Sequence, residues 1–303
     1  MATIMQKVII DTDPGVDDAL ALMMALKNPG FEVLGITTVA GNATIENVTR
    51  NARYVLDFLG RNELPIFSGS NRPLNRNLKL ATVHGDDGFL GLNPLANVEL
   101  NNGAERFIID SVKNNPGELV IIALGPLTNI ARAIQADPEA MLQVKRLIVM
   151  GGAVEVPGNM GEGAEFNFYV DPEAAKIVCD FPITKSLVPL DVCNQAILSM
   201  DDVSQITNPK MRDFVANIIQ PYAVNILEDT GIDGAIVYDA LAVYYAIDPD
   251  VFEKTQRSLS VDISDKGRGA VIDALPASSD ITVAIGFTQS ASFAQRLIQL
   301  VND

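Results

Sequence analysis

The chain has 303 residues, 48% of them hydrophobic, and 38 acidic against 22 basic side chains give it a net charge of −16. That length buries a sizeable core, and the acidic balance argues against nucleic-acid backbones and anionic membranes as partners. Two cysteines without CxxC spacing and one histidine exclude a disulfide framework and the common zinc sites, and fit a reducing, cytoplasmic compartment.

Met1–Lys7 holds no apolar run of signal-peptide or membrane length. Val8–Ile10 reads as a short buried strand, stopped by Pro14-Gly15. A helix follows, with apolar positions at Leu20, Met23, Met24 and Leu26. Val33–Val39 reads as a strand, Ile45–Leu59 as a helix and Leu64–Phe67 as a short strand. Asn71–Asn97 is long, polar and without a period, the mark of a functional loop. Ala104–Asn114 (helix), Leu119–Leu124 (strand), Leu127–Gln135 (helix) and Leu147–Met150 (strand) come next, then the Gly-rich loop Ala153–Glu165. Pro172–Cys179 reads as a helix and Ile183–Leu190 as a strand. Met211–Leu227 and Asp239–Ala246 are helical, and Ser258–Asp262 with Gly269–Ile272 forms a hairpin across Asp265-Lys266-Gly267. Ile281–Ile285 is a late strand and Ser290–Val301 the closing helix. The alternation predicts one α/β domain over residues 1–303, with a mostly parallel, Rossmann-like sheet covered by helices on both faces. Ligands then bind at the C-terminal ends of the strands, where the polar motifs sit.

Asp11-Thr12-Asp13-Pro14-Gly15-Val16-Asp17-Asp18-Ala19 puts four aspartates on one strand-to-helix turn. A helix N-terminus accommodates one or two carboxylates through its free N–H groups and dipole. Four repel one another and call for a cation, and hard oxygen donors suit Ca²⁺ or Mg²⁺. Asp17 and Asp18 diverge by about 100° around the helix, which divides their labour. This stretch resembles the signature of the inosine–uridine-type nucleoside hydrolases, and later segments extend the resemblance over most of the chain.

The resemblance implies one calcium ion per chain on Asp13, Asp18, Asp239 and the carbonyl of Leu124, the residue before Gly125-Pro126. It implies that Asn42, at the end of Thr37-Thr38-Val39-Ala40-Gly41, helps hold the nucleophilic water and a ribose hydroxyl. Asn159, Glu165 and Asn167 map to the ribose-binding residues, Met150 at the start of the same segment joins the substrate-binding candidates, and the chemistry of the cluster assigns Asp17 to the 2′-hydroxyl. On an extended segment Glu165 and Asn167 share a face. His84, in Val83-His84-Gly85, matches a segment near the 5′-hydroxyl and base, and Tyr222 an aromatic position over the base. Tyr238 stands where many family members carry a histidine that protonates the departing base, and others a tryptophan that stacks on purines. The catalytic candidates are therefore Asp13 as base, with Tyr238 and His84 beside the leaving group. The family's members are homodimers or homotetramers acting on free ribonucleosides.

The chemistry fits this reading. A divalent ion lowers the pKa of a bound water, Asp13 accepts its proton, and clustered carboxylates favour an oxocarbenium-like sugar. Two other readings compete. Asp11-Thr12-Asp13 matches the Asp-x-Asp of haloacid-dehalogenase-type phosphatases, but Gly15 stands where they need Thr or Val. A nucleoside- or calcium-binding protein weakened by Tyr238 is the non-enzymatic alternative, against which the retained Asp13 speaks. The sequence leaves the base preference open.

Overall fold

The computed structural model describes residues 5–93, 98–274, 280–288 and 293–303. Residues 1–4 of the expected leaderless N-terminus, 94–97 of the long loop and 290–292 of the closing helix lie outside them.

Among the described residues eleven strands form in chain order: β1 Gln6–Thr12, β2 Phe31–Thr38, β3 Ile66–Ser68, β4 Val120–Ala123, β5 Arg146–Met150, β6 Lys185–Val188, β7 Ile197–Leu198, β8 Ala235–Ile236, β9 Phe252–Val261, β10 Val271–Asp273 and β11 Asp280–Phe287. Nine make one sheet in the order β10-β9-β11-β6-β5-β4-β1-β2-β3, while β7 and β8 pair separately. From β3 across to β11 every neighbour is parallel. The expected hairpin is the antiparallel edge, β9 with β10, and β9 also pairs antiparallel with β11.

Burial on both faces explains the continuous apolar strands. Val8 and Ile10 enter one core cluster with Ile122 and Ile148, whereas Ile9 points the other way, with Ile121 and Leu147. Each such side chain contributes about 1.5–3 kcal/mol by leaving water. The chain runs from β1 outward through β2 and β3, then returns to β4 on the other side of β1. That reversal is a switch point, which opens a crevice at the C-terminal ends of β1 and β4.

Differences from the sequence reading are local. β1 extends to Thr12, because parallel pairing with β2 carries it past the apolar core. Glu165–Asn167 is not extended: Glu165 caps the helix Phe166–Val170 by accepting hydrogen bonds from the N–H groups of Asn167 and Phe168. The helix over 211–227 runs from Pro209 to Thr230 and tolerates Pro221 inside it. The described part of the long loop, 71–93, holds no helix or strand. Among the described residues no helix is long and apolar enough to cross a membrane.

Candidate active site

Two helices, Val16–Lys27 and Tyr238–Ile247, pack together and begin side by side above the ends of β1 and β4. Each carries acidic residues in its first turn, where free N–H groups favour negative charge. Carboxylate oxygens of Asp17, Asp18 and Asp239 lie within 4.8 Å of one another, all three residues buried. The Asp239 N–H donates to Asp17 Oδ2 at 3.5 Å, which joins the two helix starts across 222 residues of sequence.

The donors around these oxygens separate their tasks. Asp18 is held on both oxygens: Thr12 Oγ1 donates to Oδ1, and Gly15 N–H and Asn42 Nδ2 donate to Oδ2 at 2.9 and 3.1 Å. Asp13 lies beside the triad, with Oδ2 accepting from the Asn42 N–H at 2.7 Å. Asp13 Oδ1 and Asp239 Oδ1 are buried without a hydrogen-bond partner among the described residues. Such orphaned oxygens cost free energy unless a ligand engages them.

Backbone approaches Asp13 closely on both sides. A methyl on Gly41 would overlap Asp13 Oδ2, and one on Gly125 would sit 2.5 Å from Oδ1. Neither glycine has a positive φ, so close approach and not backbone conformation is what glycine provides there.

Burial dominates the electrostatics. It pushes Asp17 up to about 7, with the Asp18 charge adding to it. Asp13 and Asp239 rise well above the usual carboxylate range, first from burial and then from the neighbouring Asp18 charge. Carboxylates so placed favour protons or a cation. The triad and the orphaned oxygens of Asp13 and Asp239 are all carboxylate oxygens, the donor type that suits a hard divalent ion.

The remaining expected residues border one cavity of about 660 Å³, including Asp17, Asn42, Leu124, Met150, Asn159 and Glu165. Asn167, Tyr222, Tyr238, Asp239 and His84 border it too, whereas Asp13 and Asp18 are not among its lining residues. Asn167 Nδ2 donates to the Leu124 carbonyl at 2.7 Å and to the Met150 carbonyl at 3.3 Å, tying the ends of β4 and β5 together. Glu165 is buried and its carboxyl is pushed up to about 7 by that burial, though three backbone N–H groups point at it. Asn159 is exposed at the rim.

His84 is fixed rather than free in a loop. Its Nδ1 accepts from the Val16 N–H at 3.3 Å, its Nε2 lies 3.8 Å from Asp17 Oδ1, and its ring stacks on Tyr222 at 5.1 Å. Burial lowers it to about 4, so the ring is neutral near pH 7. Tyr222 is buried and its hydroxyl donates to the Ile236 carbonyl at 3.2 Å. Tyr238 is half-buried, and its phenol is pushed upward by burial and by Asp17.

Sequence reasoning missed several contributors. Thr12 sits inside the aspartate motif, and its hydroxyl next to carboxylates was the available signal. Asn129 was visible in Leu127-Thr128-Asn129, yet its task is remote: Nδ2 donates to Asp11 Oδ1 at 2.7 Å and to the Thr38 carbonyl at 3.0 Å. Asp11 thereby braces β1 against β2 from beneath, with Thr37 Oγ1 as a second donor. Lys79, Phe166, Ile226 and Thr230 also border the cavity.

A sequence profile described as inosine-uridine preferring nucleoside hydrolase matches residues 8–294. A probable uridine nucleosidase 2 of Oryza sativa subsp. japonica is 37% identical over 254 residues, covering 82% of this chain and 75% of that one. Among solved structures, a plant nucleoside hydrolase superposes with a TM-score of 0.92 at 30% identity, covering 98% of this chain and 99% of its own. A purine-preferring ribonucleoside hydrolase from Gardnerella vaginalis gives a TM-score of 0.89 at 30% identity, over 98% and 99% of the two chains.

Proposed function

The chain belongs to the inosine-uridine preferring nucleoside hydrolases and cleaves the N-glycosidic bond of ribonucleosides with water, and from that premise we propose how its residues divide the work. The observation that carries the division is the convergence of Asp17, Asp18 and Asp239 at one point, near Asp13, one of whose oxygens has no hydrogen-bond partner among the described residues.

Asp13, Asp18, Asp239 and the Leu124 carbonyl would hold one calcium ion. Bound there, the ion supplies Lewis acidity that makes water a better nucleophile near neutral pH. Asp13 takes the water's proton: Asn42 fixes one of its oxygens and leaves the other free to accept. Asp17 accepts from the ribose 2′-hydroxyl. Asn42, Asn159, Glu165 and Asn167 recognise the sugar's other polar edges, and Met150 borders its apolar side. The acidic floor stabilises positive charge developing on the sugar, in a site already organised for it. Tyr238 offers its ring to the base as a stacking surface and gives partial help as a proton donor. His84 and Tyr222 border the base and the 5′ end as a fixed pair. A single working domain over the whole chain, a homo-oligomeric state and a reducing cytoplasm complete the proposal. Cys179 and Cys193, neither of them in a disulfide, support the last.

The test is a ribose-release panel with uridine, cytidine, inosine, adenosine and 2′-deoxyuridine, run before and after chelation. Ribose should appear from ribonucleosides, deoxyuridine should be slower by about 10³-fold or more because its partners go unpaired, and chelation should abolish turnover. Equal rates on uridine and deoxyuridine would sink the ribose assignments.

A further inference from the structure

The helix Phe166–Val170 carries Asn167 and is capped by Glu165, two residues given to the sugar above, yet it has only five residues. A helix of one turn does not hold itself, because its first N–H and last C=O groups lack partners within it. Glu165 secures the beginning by accepting from the Asn167 and Phe168 N–H groups. The end is secured from the far edge of the sheet. Arg268, in the connection between β9 and β10, donates from Nε to the Tyr169 carbonyl at 2.7 Å and from Nη2 to the Val170 carbonyl at 3.3 Å. Its guanidinium carbon also lies 4.2 Å from the centre of the Tyr169 ring. Tyr169 and Val170 are the last two residues of the helix, where a cation satisfies free carbonyls.

Two observations set this contact apart from an ordinary surface arginine. Arg268 forms no ion pair among the described residues, although the chain has 38 acidic side chains. Its planar fork is committed to the two carbonyls instead. The segment that carries it is also fixed. The Asp262 N–H donates to the Ala270 carbonyl at 2.9 Å, and the Gly269 N–H to the Asp262 carbonyl at 2.8 Å. Gly269, at φ +80°, passes so close to the helix that a methyl there would stand 2.7 Å from the Phe168 carbonyl. Arg76 anchors the same connection from the other side, with Nη1 donating to Asp265 Oδ1 at 2.9 Å and Nη2 to the Ile263 carbonyl at 2.5 Å. Its Nε donates to Glu173 Oε1 at 2.9 Å, which ties the connection to the helix Pro172–Asp180 as well.

We propose that Arg268 is a positioning residue for ribose recognition: by holding the Tyr169 and Val170 carbonyls it keeps the one-turn helix wound and Asn167 at its place on the cavity wall. Without that hold the end of the helix opens and the backbone of Asn167 shifts. Asn167 Nδ2 then loses its aim at the Leu124 and Met150 carbonyls. Arg268 does not border the cavity, so it acts on the sugar only through the helix. This rests on the ribose assignments above and deepens them by naming what holds them in place.

The experiment is a double-mutant cycle on uridine: wild type, Arg268→Met, Asn167→Ala and both together. Arg268→Lys is the conservative variant, and melting temperature and metal content are measured for each protein. Arg268→Met alone should lower kcat/KM about 10-fold, mostly through KM, with metal content unchanged. In the Asn167→Ala background the same change should cost under about 3-fold, because the residue through which it acts is gone. Arg268→Lys, which keeps the charge and part of the donor set, should fall between wild type and Arg268→Met. Where Arg268→Met melts below the assay temperature, Arg268→Lys takes its place in the cycle. Equal costs in the two backgrounds, no loss in Arg268→Met, a loss of metal, or a lysine variant no better than methionine would each overturn the assignment to Arg268. An Asn167→Ala protein with unchanged KM would instead refute the ribose assignment, and a wild-type protein that releases no ribose would refute the hydrolase reading itself.

Discussion

Asp13 has room for its carboxylate only because Gly41 and Gly125 lack side chains, and this yields a test that leaves every acidic group intact. In Gly125→Ala the new carbon would stand 2.5 Å from Asp13 Oδ1, and 2.9 Å from both Asp13 Cγ and Val39 Cγ1. Unstrained contacts lie near 3.5 Å, so the carboxylate must retreat by about 1 Å. A misplacement of that size costs on the order of 10²-fold in rate when the moved group is a proton acceptor, or about 2.7 kcal/mol in the barrier. Gly41→Ala meets Oδ2 from the other side and should do at least as much harm. Steady-state kinetics on uridine should therefore show a fall in kcat of about 10²-fold, with KM changed far less. Gly60→Ala is the control. Its methyl meets nothing within 4 Å, but φ is +69°, so it should cost about 1 kcal/mol of stability and no kcat. A Gly125→Ala protein with normal fold, normal metal content and kcat within about 3-fold of wild type would refute the argument from Asp13 geometry.

Asp13→Asn should lower kcat by about 10²–10⁴-fold, the usual worth of a positioned base, in the same assay. Asn167→Ala removes the donor to the Leu124 carbonyl and should raise KM for ribonucleosides more than it lowers kcat; an unchanged KM would contradict the ribose assignment. Protein purified without chelator should carry about one calcium per chain by elemental analysis. Metal at 100 times its dissociation constant should add about 2.7 kcal/mol to stability, visible as a higher melting temperature than in the chelated protein. Glu165 gives a pH signature. Burial raises its folded pKa to about 7 from 4.5, so between those values the folded state binds more protons than the unfolded state. Stability from this group is complete below pH ~4.5 and falls by about 3 kcal/mol as pH rises through ~7. Denaturant titrations of wild type and Glu165→Gln across that range should differ by this slope, and parallel curves would refute it.

The fold was legible where side chains report on burial. Continuous apolar strands such as Leu119–Leu124 announced a sheet covered on both faces, and alternation with helices announced parallel neighbours. Spatial order was not legible, because nothing local in β9 says that it pairs antiparallel with β11 at the far edge. In the site, the aspartate motif located the charge, but not where each lone pair points. Asp18 is engaged by Thr12, Gly15 and Asn42, while Asp17 joins Asp239, an arrangement set by contacts across chain segments. Glu165 itself is extended, but spacing alone does not reveal that its carboxylate caps the helix that begins at Phe166 and takes Asn167 off the shared face. Lys79 gave no signal at all: a lysine in a polar loop looks the same whether it faces water or a cavity.

The link between Asp17 and Asp239 has a consequence for how the protein is made. The two residues are 222 positions apart, so for most of its synthesis the growing chain carries the Asp17–Asp18 half of the site without the Asp239 half. On the proposed assignment of Asp239 as a ligand, a nascent or truncated chain ending before it should hold a cation less well. Cation capture would then act as a late clasp that draws the first and last thirds of the chain together and offsets the entropy of closing so long a loop. Cells starved of the ion should accumulate chains whose final third is cut by proteases before the first, a pattern that limited proteolysis of the chelated protein can reproduce in vitro.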